Sequence, residues 1–178
     1  MLEKPNFYSV IIGTELLNGR RKDAHFAFLN QQLLSRGWEQ KASFVINDNT
    51  NLMENIFNLI KSDPNSVMFC FGGIGATPDD YTRVVAGKVF RDGKMEFHEE
   101  AKNRILNQFG NEAYPHRINM AYLPINAKLL TNVVNNVAGF YLEDRFFFTP
   151  GFPSMSQAMV VEALDKLYPK SNIENTDV

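Results

Sequence analysis

Two short apolar runs, each stopped by glycine, constrain this chain more than any other feature. Phe7 to Ile12 ends at Gly13, and Val67 to Phe71 ends at Gly72-Gly73. A continuous apolar run without polar alternation is the pattern of a strand buried on both faces, as in sheets covered by helices on both sides. After the first run, Asp23 is placed as an N-cap, Phe26, Leu29 and Leu33 recur at helical spacing, and Gly37 can end the segment in a left-handed conformation. Trp38 to Ile46 reads as a second strand, and the Asn/Asp/Thr cluster from Asn47 to Asn51 opens a helix with Leu52, Ile56, Leu59 and Ile60 on one face. Pro64 and Asn65 break that helix before the third strand, and the glycine loop then leads into a helix expected from about Pro78 to Phe90. Three consecutive βα units argue for an α/β fold with a mostly parallel sheet covered by helices.

The later part is less regular. Glu99 to Phe109 reads as a helix stopped by Gly110, while Tyr114 to Pro124 fits a short helix or a loop. Gly139 to Glu143 and Arg145 to Thr149 flank a polar break and are expected to form a C-terminal antiparallel hairpin, although Asp144 lacks the usual following glycine. Ser154 can cap a last helix carrying Val160, Ala163, Leu164 and Leu167, with Pro169 ending it. At 178 residues and 44% hydrophobic, the chain can bury one sizeable core. The expected organisation is one domain over 1–170 and a frayed polar tail over 171–178.

Several function classes are excluded. A net charge of −2 with no basic stripe argues against nucleic acid as a partner. No apolar run approaches the roughly 18 residues needed to span a membrane, and the N-terminus lacks a signal-peptide layout, so the expected localisation is cytoplasmic. The single cysteine, Cys70, lies inside the apolar run Val67 to Phe71 and reads as a small buried hydrophobe. His25, His98 and His116 show no metal-ligand spacing, and His25 alone lies near the strand ends. Arg20-Arg21-Lys22 reads as a solvated turn that could screen phosphate charge, and Phe146-Phe147-Phe148 as sheet core or a subunit interface, with Phe147 facing away from its neighbours.

Chemistry concentrates in Gly72-Gly73-Ile74-Gly75-Ala76-Thr77-Pro78-Asp79-Asp80. Glycines without Cβ let the backbone turn sharply and approach a ligand closely. Thr77 is placed to cap the next helix, with Pro78 at its first position and Asp80 at its third. The N–H groups of such a helix start favour phosphate. Neither the Walker nor the dinucleotide pattern matches, however, and Asp79 and Asp80 would repel a bare phosphate. A hard cation such as magnesium, bridging carboxylate and phosphate, would resolve the conflict. Alternatively, the two aspartates complement a helix dipole and the glycines serve only a tight turn. Gly13-Thr14-Glu15 and Asn47-Asp48 also follow expected parallel strands, so all three segments can converge on one crevice outside the strand ends.

Three motifs appear in order: Ile12-Gly13-Thr14-Glu15-Leu16-Leu17-x-Gly19, the Gly72–Asp80 loop, and Pro150-Gly151-x-Pro153-Ser154. Together they resemble the molybdopterin-binding domain of the competence/damage-inducible CinA proteins, related to MogA/MoaB molybdenum-cofactor biosynthesis proteins and to a domain of some FAD synthases. The signature of that superfamily maps onto Gly72, Gly73, Gly75, Asp80 and Thr82. The resemblance implies a three-layer α/β fold binding a phosphorylated pterin or adenine nucleotide at the strand ends, in an oligomer of two or three copies. The implied ligand-binding set is Gly13, Thr14, Glu15, Gly72, Gly73, Gly75, Thr77, Asp79, Thr82, Pro150, Gly151 and Ser154. Asp80 matches an aspartate that is catalytic or metal-binding in adenylyl-transferring relatives, and Asp48 matches a second acidic position there. CinA-type domains are also linked to metal-dependent ADP-ribose hydrolysis. The motifs depart from the family at Ala76, where proline is usual, at Asp23-Ala24-His25, where Asn-Thr-Asn is common, and at Asn136-Val137-Ala138-Gly139-Phe140, which lacks its proline. No C-terminal amidase segment is present in this sequence, so nicotinamide-nucleotide deamidation is not expected of it.

Three functional expectations follow. The first is metal-assisted adenylyl or pyrophosphate chemistry with Asp80 and Asp48 as metal and charge partners. The second is a non-catalytic molybdopterin or nucleotide carrier. The third is an oligomeric interaction module.

Overall fold

The computed structural model describes residues 2–171. Six strands form one sheet in the order β2-β1-β3-β8-β7-β6. They are β1 (Asn6–Ile12), β2 (Gln40–Ile46), β3 (Ser66–Phe71), β6 (Lys128–Leu130), β7 (Gly139–Leu142) and β8 (Phe146–Thr149). The pairs β1·β2, β1·β3 and β3·β8 are parallel, and β7·β8 and β6·β7 are antiparallel. The strand order reverses at β1, which pairs with β2 on one side and β3 on the other.

Burial follows position in the sheet. Every residue of central β3 is buried, whereas the edge strand β2 alternates between half-buried and exposed positions until Ile46. The uninterrupted apolar run of β3 is thus needed because both its faces are covered. Successive side chains enter opposite layers: Tyr8, Val10, Met68, Cys70, Phe146 and Phe148 face one core, and Phe7, Ile11, Phe69, Phe71 and Phe147 the other. The first layer is closed by α3 (Thr50–Lys61), α4 (Thr82–Phe90) and α5 (Glu99–Phe109), the second by α2 (His25–Leu34) and α6 (Pro153–Leu167). This is the expected three-layer arrangement. The Phe146–Phe148 run is sheet core: Phe146 stacks on Phe90 at 4.2 Å, Phe148 on Phe140 at 4.7 Å and Phe147 on Phe69 at 4.8 Å between ring centroids.

The hairpin forms without glycine. Glu143 and Asp144 both adopt φ 55°, the paired left-handed conformation of a two-residue turn, and the Arg145 N–H donates to Leu142 O at 3.0 Å. Tertiary contacts hold the strain: Arg91 pairs with Glu143 at 2.9 Å, and the Tyr168 hydroxyl donates to Asp144 O at 2.7 Å.

Several local expectations are corrected. The helix after the glycine loop begins at Thr82, not near Pro78, because Thr77 and Asp80 close a turn on each other and the Thr82 N–H returns to Gly73 O at 3.0 Å. On α3 the buried face is Met53, Phe57 and Ile60, while Leu52 and Leu59 are exposed, so the true face is rotated by about one residue. Asn49 caps that helix by accepting from the Leu52 N–H at 2.9 Å. Ser154 does not cap α6; Phe152 occupies that position, and Ser154 is exposed in the first turn. Phe26 is exposed rather than core. The ambiguous stretch over 114–124 resolves into a 3-10 turn, Arg117–Ala121, and strand β5 (Tyr122–Pro124), which pairs antiparallel with β4 (Met95–Phe97) beside the main sheet. A one-turn helix, α1 (Thr14–Leu17), follows β1 directly. At the C-terminal end the Ser171 N–H is anchored on Arg36 O at 2.8 Å, and the expected tail over 172–178 lies outside the described residues.

Candidate functional site

Strands β1, β2, β3 and β8 run parallel, so their carboxyl ends reach one edge of the sheet, at the point where the order reverses. Loops leaving such an edge diverge and open a crevice between them. Here the crevice is a cavity of about 550 Å³, within the range of small-ligand sites. Four of the segments that line it leave the parallel strands: Gly13–Glu15, the segment ending at Asp48, Gly73–Asp80 and Pro150–Phe152.

The glycine loop is held by close approaches that only glycine allows. Gly72 and Gly73 have φ 104° and 74°. A Cβ on Gly72 would lie 2.7 Å from Ile12 O, and one on Gly73 would run into Thr82 Oγ1. That hydroxyl is fully buried and donates to Gly72 O at 3.0 Å. Asp80 then closes the loop: its Oδ2 accepts from the Thr77 N–H at 2.9 Å and from the Thr77 hydroxyl at 2.7 Å. Four consecutive backbone N–H groups, those of Gly73, Ile74, Gly75 and Ala76, meet no acceptor among the described residues. Unpaired donors at a cavity wall invite an anion. Ala76 keeps an N–H that proline in its place would lack.

Charge is divided within the cavity. Glu15, Asp48, Asp79 and Asp80 line it, and Arg21 and Lys22 also reach it, with the Arg21 guanidinium 5.7 Å from the centroid of the Phe152 ring. Partial burial, reinforced by the negative charges of Glu15, Asp80 and Asp79, raises the Asp48 pKa above the ordinary carboxylate value, against a lowering hydrogen bond from the Thr14 hydroxyl at 3.2 Å. Ile74, Phe109, Met120 and Val137 supply apolar wall.

Of the residues expected at the site, Gly13, Glu15, Asp48, Gly73, Gly75, Thr77, Asp79, Asp80, Pro150 and Gly151 line the cavity. Thr14, Gly72 and Thr82 stand behind them as supports through the contacts above, and Ser154 is outside the lining. Four further features shape the site. Arg21 and Lys22, expected in a solvated turn that could screen phosphate charge, reach the cavity. The loop Asn132–Val137 closes one wall, shaped by Asn132, whose Oδ1 accepts from the Val134 and Asn135 N–H groups; its Asn136-Val137 end begins the segment that departs from the family motif. The buried Arg83 gave no sequence signal. Finally, His25 is buried against the cavity, stacked on Phe71 at 4.4 Å, with Nε2 3.0 Å from Gly151 O. A carbonyl only accepts, so Nε2 carries the proton and Nδ1 faces the Ser156 hydroxyl at 3.5 Å as acceptor.

Burial lowers the His25 pKa, with the Gly151 hydrogen bond opposing. Because the folded imidazole holds a proton less tightly than the unfolded one, its contribution to stability is complete above the unfolded value near 6.5 and is lost as pH falls below it. His25→Gln is expected to flatten the dependence of melting temperature on pH below about 6.5. An unchanged slope in thermal melts would contradict this assignment.

Comparison with known proteins decides the family. Residues 9–169 match the family described as "Probable molybdopterin binding domain". The chain belongs to this family. Among relatives, a CinA-like protein of Geotalea uraniireducens is 33% identical over 161 residues, which is 86% of this chain and 37% of that protein. The chain spans less than two thirds of the length of the first curated relatives it matches. Among solved structures, the protein CinA from Thermoplasma acidophilum, of unknown function, superposes with TM-score 0.80 at 24% identity over 90% of this chain and 97% of that one. The molybdopterin biosynthesis enzyme MoaB from Thermus thermophilus superposes with TM-score 0.58 at 15% identity, covering 92% and 91%. The molybdopterin-binding domain fold, as in MogA and MoaB, is thereby shown. Among the described residues no helix is long and apolar enough to cross a membrane.

Proposed function

We propose that the cavity of this molybdopterin-binding-family chain binds a phosphorylated pterin, of which molybdopterin is the type. The run of unpaired N–H groups from Gly73 to Ala76 carries the reading, because a phosphate supplies the several acceptor oxygens that such a run lacks. Arg21 and Lys22 offset the charge of the phosphate. A pterin ring presents its amino group and an adjacent ring N–H as paired donors, which suit a carboxylate such as Asp48 or Glu15 in the lining. The apolar walls at Ile74, Phe109 and Met120 suit its faces.

The catalytic extension of this reading is adenylyl or pyrophosphate chemistry assisted by a divalent cation. Among the described residues no three Asp, Glu, His or Cys side chains converge as ligands of a resident metal. Asp80 is also already engaged with Thr77. In this reading a cation would arrive on the ligand's phosphates, and Asp48 and Asp80, which both line the cavity, would be the carboxylates that meet it.

Calorimetry with 6-hydroxymethylpterin and its pyrophosphate ester tests the proposal. The phosphorylated ligand is expected to bind at least about tenfold more tightly, a difference of about 1.4 kcal/mol. Equal affinities, or no binding of either, would overturn it. The same titrations with molybdopterin, ADP-ribose, ATP and FAD, with and without magnesium, separate carrier from enzyme: product formation marks an enzyme, and tight binding without turnover a carrier.

A further inference from the structure

We propose that Arg83 is the positioning residue that makes the glycine loop an anion site, a role that rests on the phosphate reading above. Arg83 lies in the first turn of α4 and is 7% exposed. It makes no ion pair with a carboxylate at contact distance among the described residues. Its Nη1 instead donates to Ile74 O at 2.5 Å and to Gly75 O at 2.9 Å.

The consequence follows from peptide geometry. In a trans peptide the C=O and N–H point in opposite directions across the same planar unit. The carbonyl of Ile74 shares its peptide unit with the N–H of Gly75, and the carbonyl of Gly75 shares its unit with the N–H of Ala76. By drawing both carbonyls to itself, Arg83 turns those two N–H groups away from itself. Arg83 is not part of the cavity wall, whereas Ile74, Gly75 and Ala76 are, so the loop lies between the guanidinium and the cavity. The buried cation thus orients two donors and places a positive charge behind them. A guanidinium suits this task because it stays charged when buried and can serve two acceptors at once. It also counters the nearby Asp79 and Asp80, which would otherwise repel a phosphate on this loop.

The test uses 6-hydroxymethylpterin and its pyrophosphate ester as probes, and reads the ratio of their affinities rather than either affinity alone. In Arg83→Gln, which keeps a donor and loses the charge, the ratio is expected to fall by roughly tenfold, while the unphosphorylated pterin binds as before. Arg83→Lys, which keeps the charge, is expected to restore most of the ratio. A purely structural role would weaken both ligands together and leave the ratio intact, which would overturn the assignment. A second measurement needs no variant: on adding inorganic pyrophosphate to the unaltered protein, the backbone amide resonances of Gly75 and Ala76 should move most. If they stay fixed while others move, the proposal fails. Equal binding of the two pterins by the unaltered protein would overturn the phosphate reading and the role of Arg83 with it. A preserved ratio in a folded Arg83→Gln overturns Arg83 alone.

Discussion

Gly73→Ala is expected to lower the melting temperature by roughly 6–12 °C and to abolish binding of a phosphorylated ligand. Two costs combine. The left-handed φ of 74° is strained for any residue with a Cβ, by about 1–2 kcal/mol. The new methyl group would also run into Thr82 Oγ1. Displacing that hydroxyl breaks its buried hydrogen bond to Gly72 O, which contributes a further 1–2 kcal/mol or so. A total near 3 kcal/mol, at about 2–4 °C per kcal/mol for a domain of this size, gives the stated range. Gly19→Ala separates the terms, because Gly19 has φ 80° but nothing within 4 Å of its added Cβ. Differential scanning calorimetry on the two variants should find the Gly73 effect clearly larger. Equal shifts would show that backbone strain alone fixes this loop, against the steric account.

The second large effect concerns Asp80. Its Oδ2 receives both the Thr77 N–H and the Thr77 hydroxyl, and the same oxygen lies 2.8 Å from where a Gly75 Cβ would stand. Asp80→Ala leaves both Thr77 donors without this acceptor and opens the turn beside the unpaired N–H groups. Loss of hydrogen bonds to a charged acceptor is worth about 1.5–3 kcal/mol, so affinity for a pterin pyrophosphate should fall by roughly 10- to 100-fold. Asp80→Asn keeps a side-chain carbonyl for Thr77 and removes the charge, so it is expected to bind within about threefold of the unaltered protein, less repulsion compensating lost acceptor strength. Any magnesium-dependent turnover, by contrast, should disappear in Asp80→Asn. Binding lost equally in both variants would mean that the charge itself, rather than loop closure, serves the ligand. Full turnover in Asp80→Asn would remove Asp80 from the chemistry.

How legible the site was depends on the kind of signal. Gly13, Gly72, Gly73 and Gly75 stood out because glycine at a strand end marks a backbone requirement that does not depend on distant partners. Asp48 was reached because it follows an expected parallel strand, and parallel strands bring their ends together. Arg21 and Lys22 read as a solvated turn that could screen phosphate, and the Asn132–Val137 loop shows only the altered motif at its Asn136-Val137 end, because nothing local distinguishes a residue facing a cavity from one facing water. Thr77 and Asp80 were read correctly as partners but wrongly as the first turn of a helix. The same reciprocal contact closes either a helix start or a free turn, and the return of Thr82 to the strand end selects the second.

The sequence by itself determined a mostly parallel sheet covered by helices, since short continuous apolar runs and helices of period near 3.6 are local properties that survive in any context. It also singled out the glycine loop, which lines the cavity at the strand ends. Tertiary structure alone decided which charges share the cavity, which oxygen Asp80 commits to Thr77, and that the buried cation of Arg83 lies behind the loop. Those facts come from contacts between segments such as β1 and β3, about 60 residues apart along the chain, whose approach is set by packing of the whole core and leaves no local pattern to read.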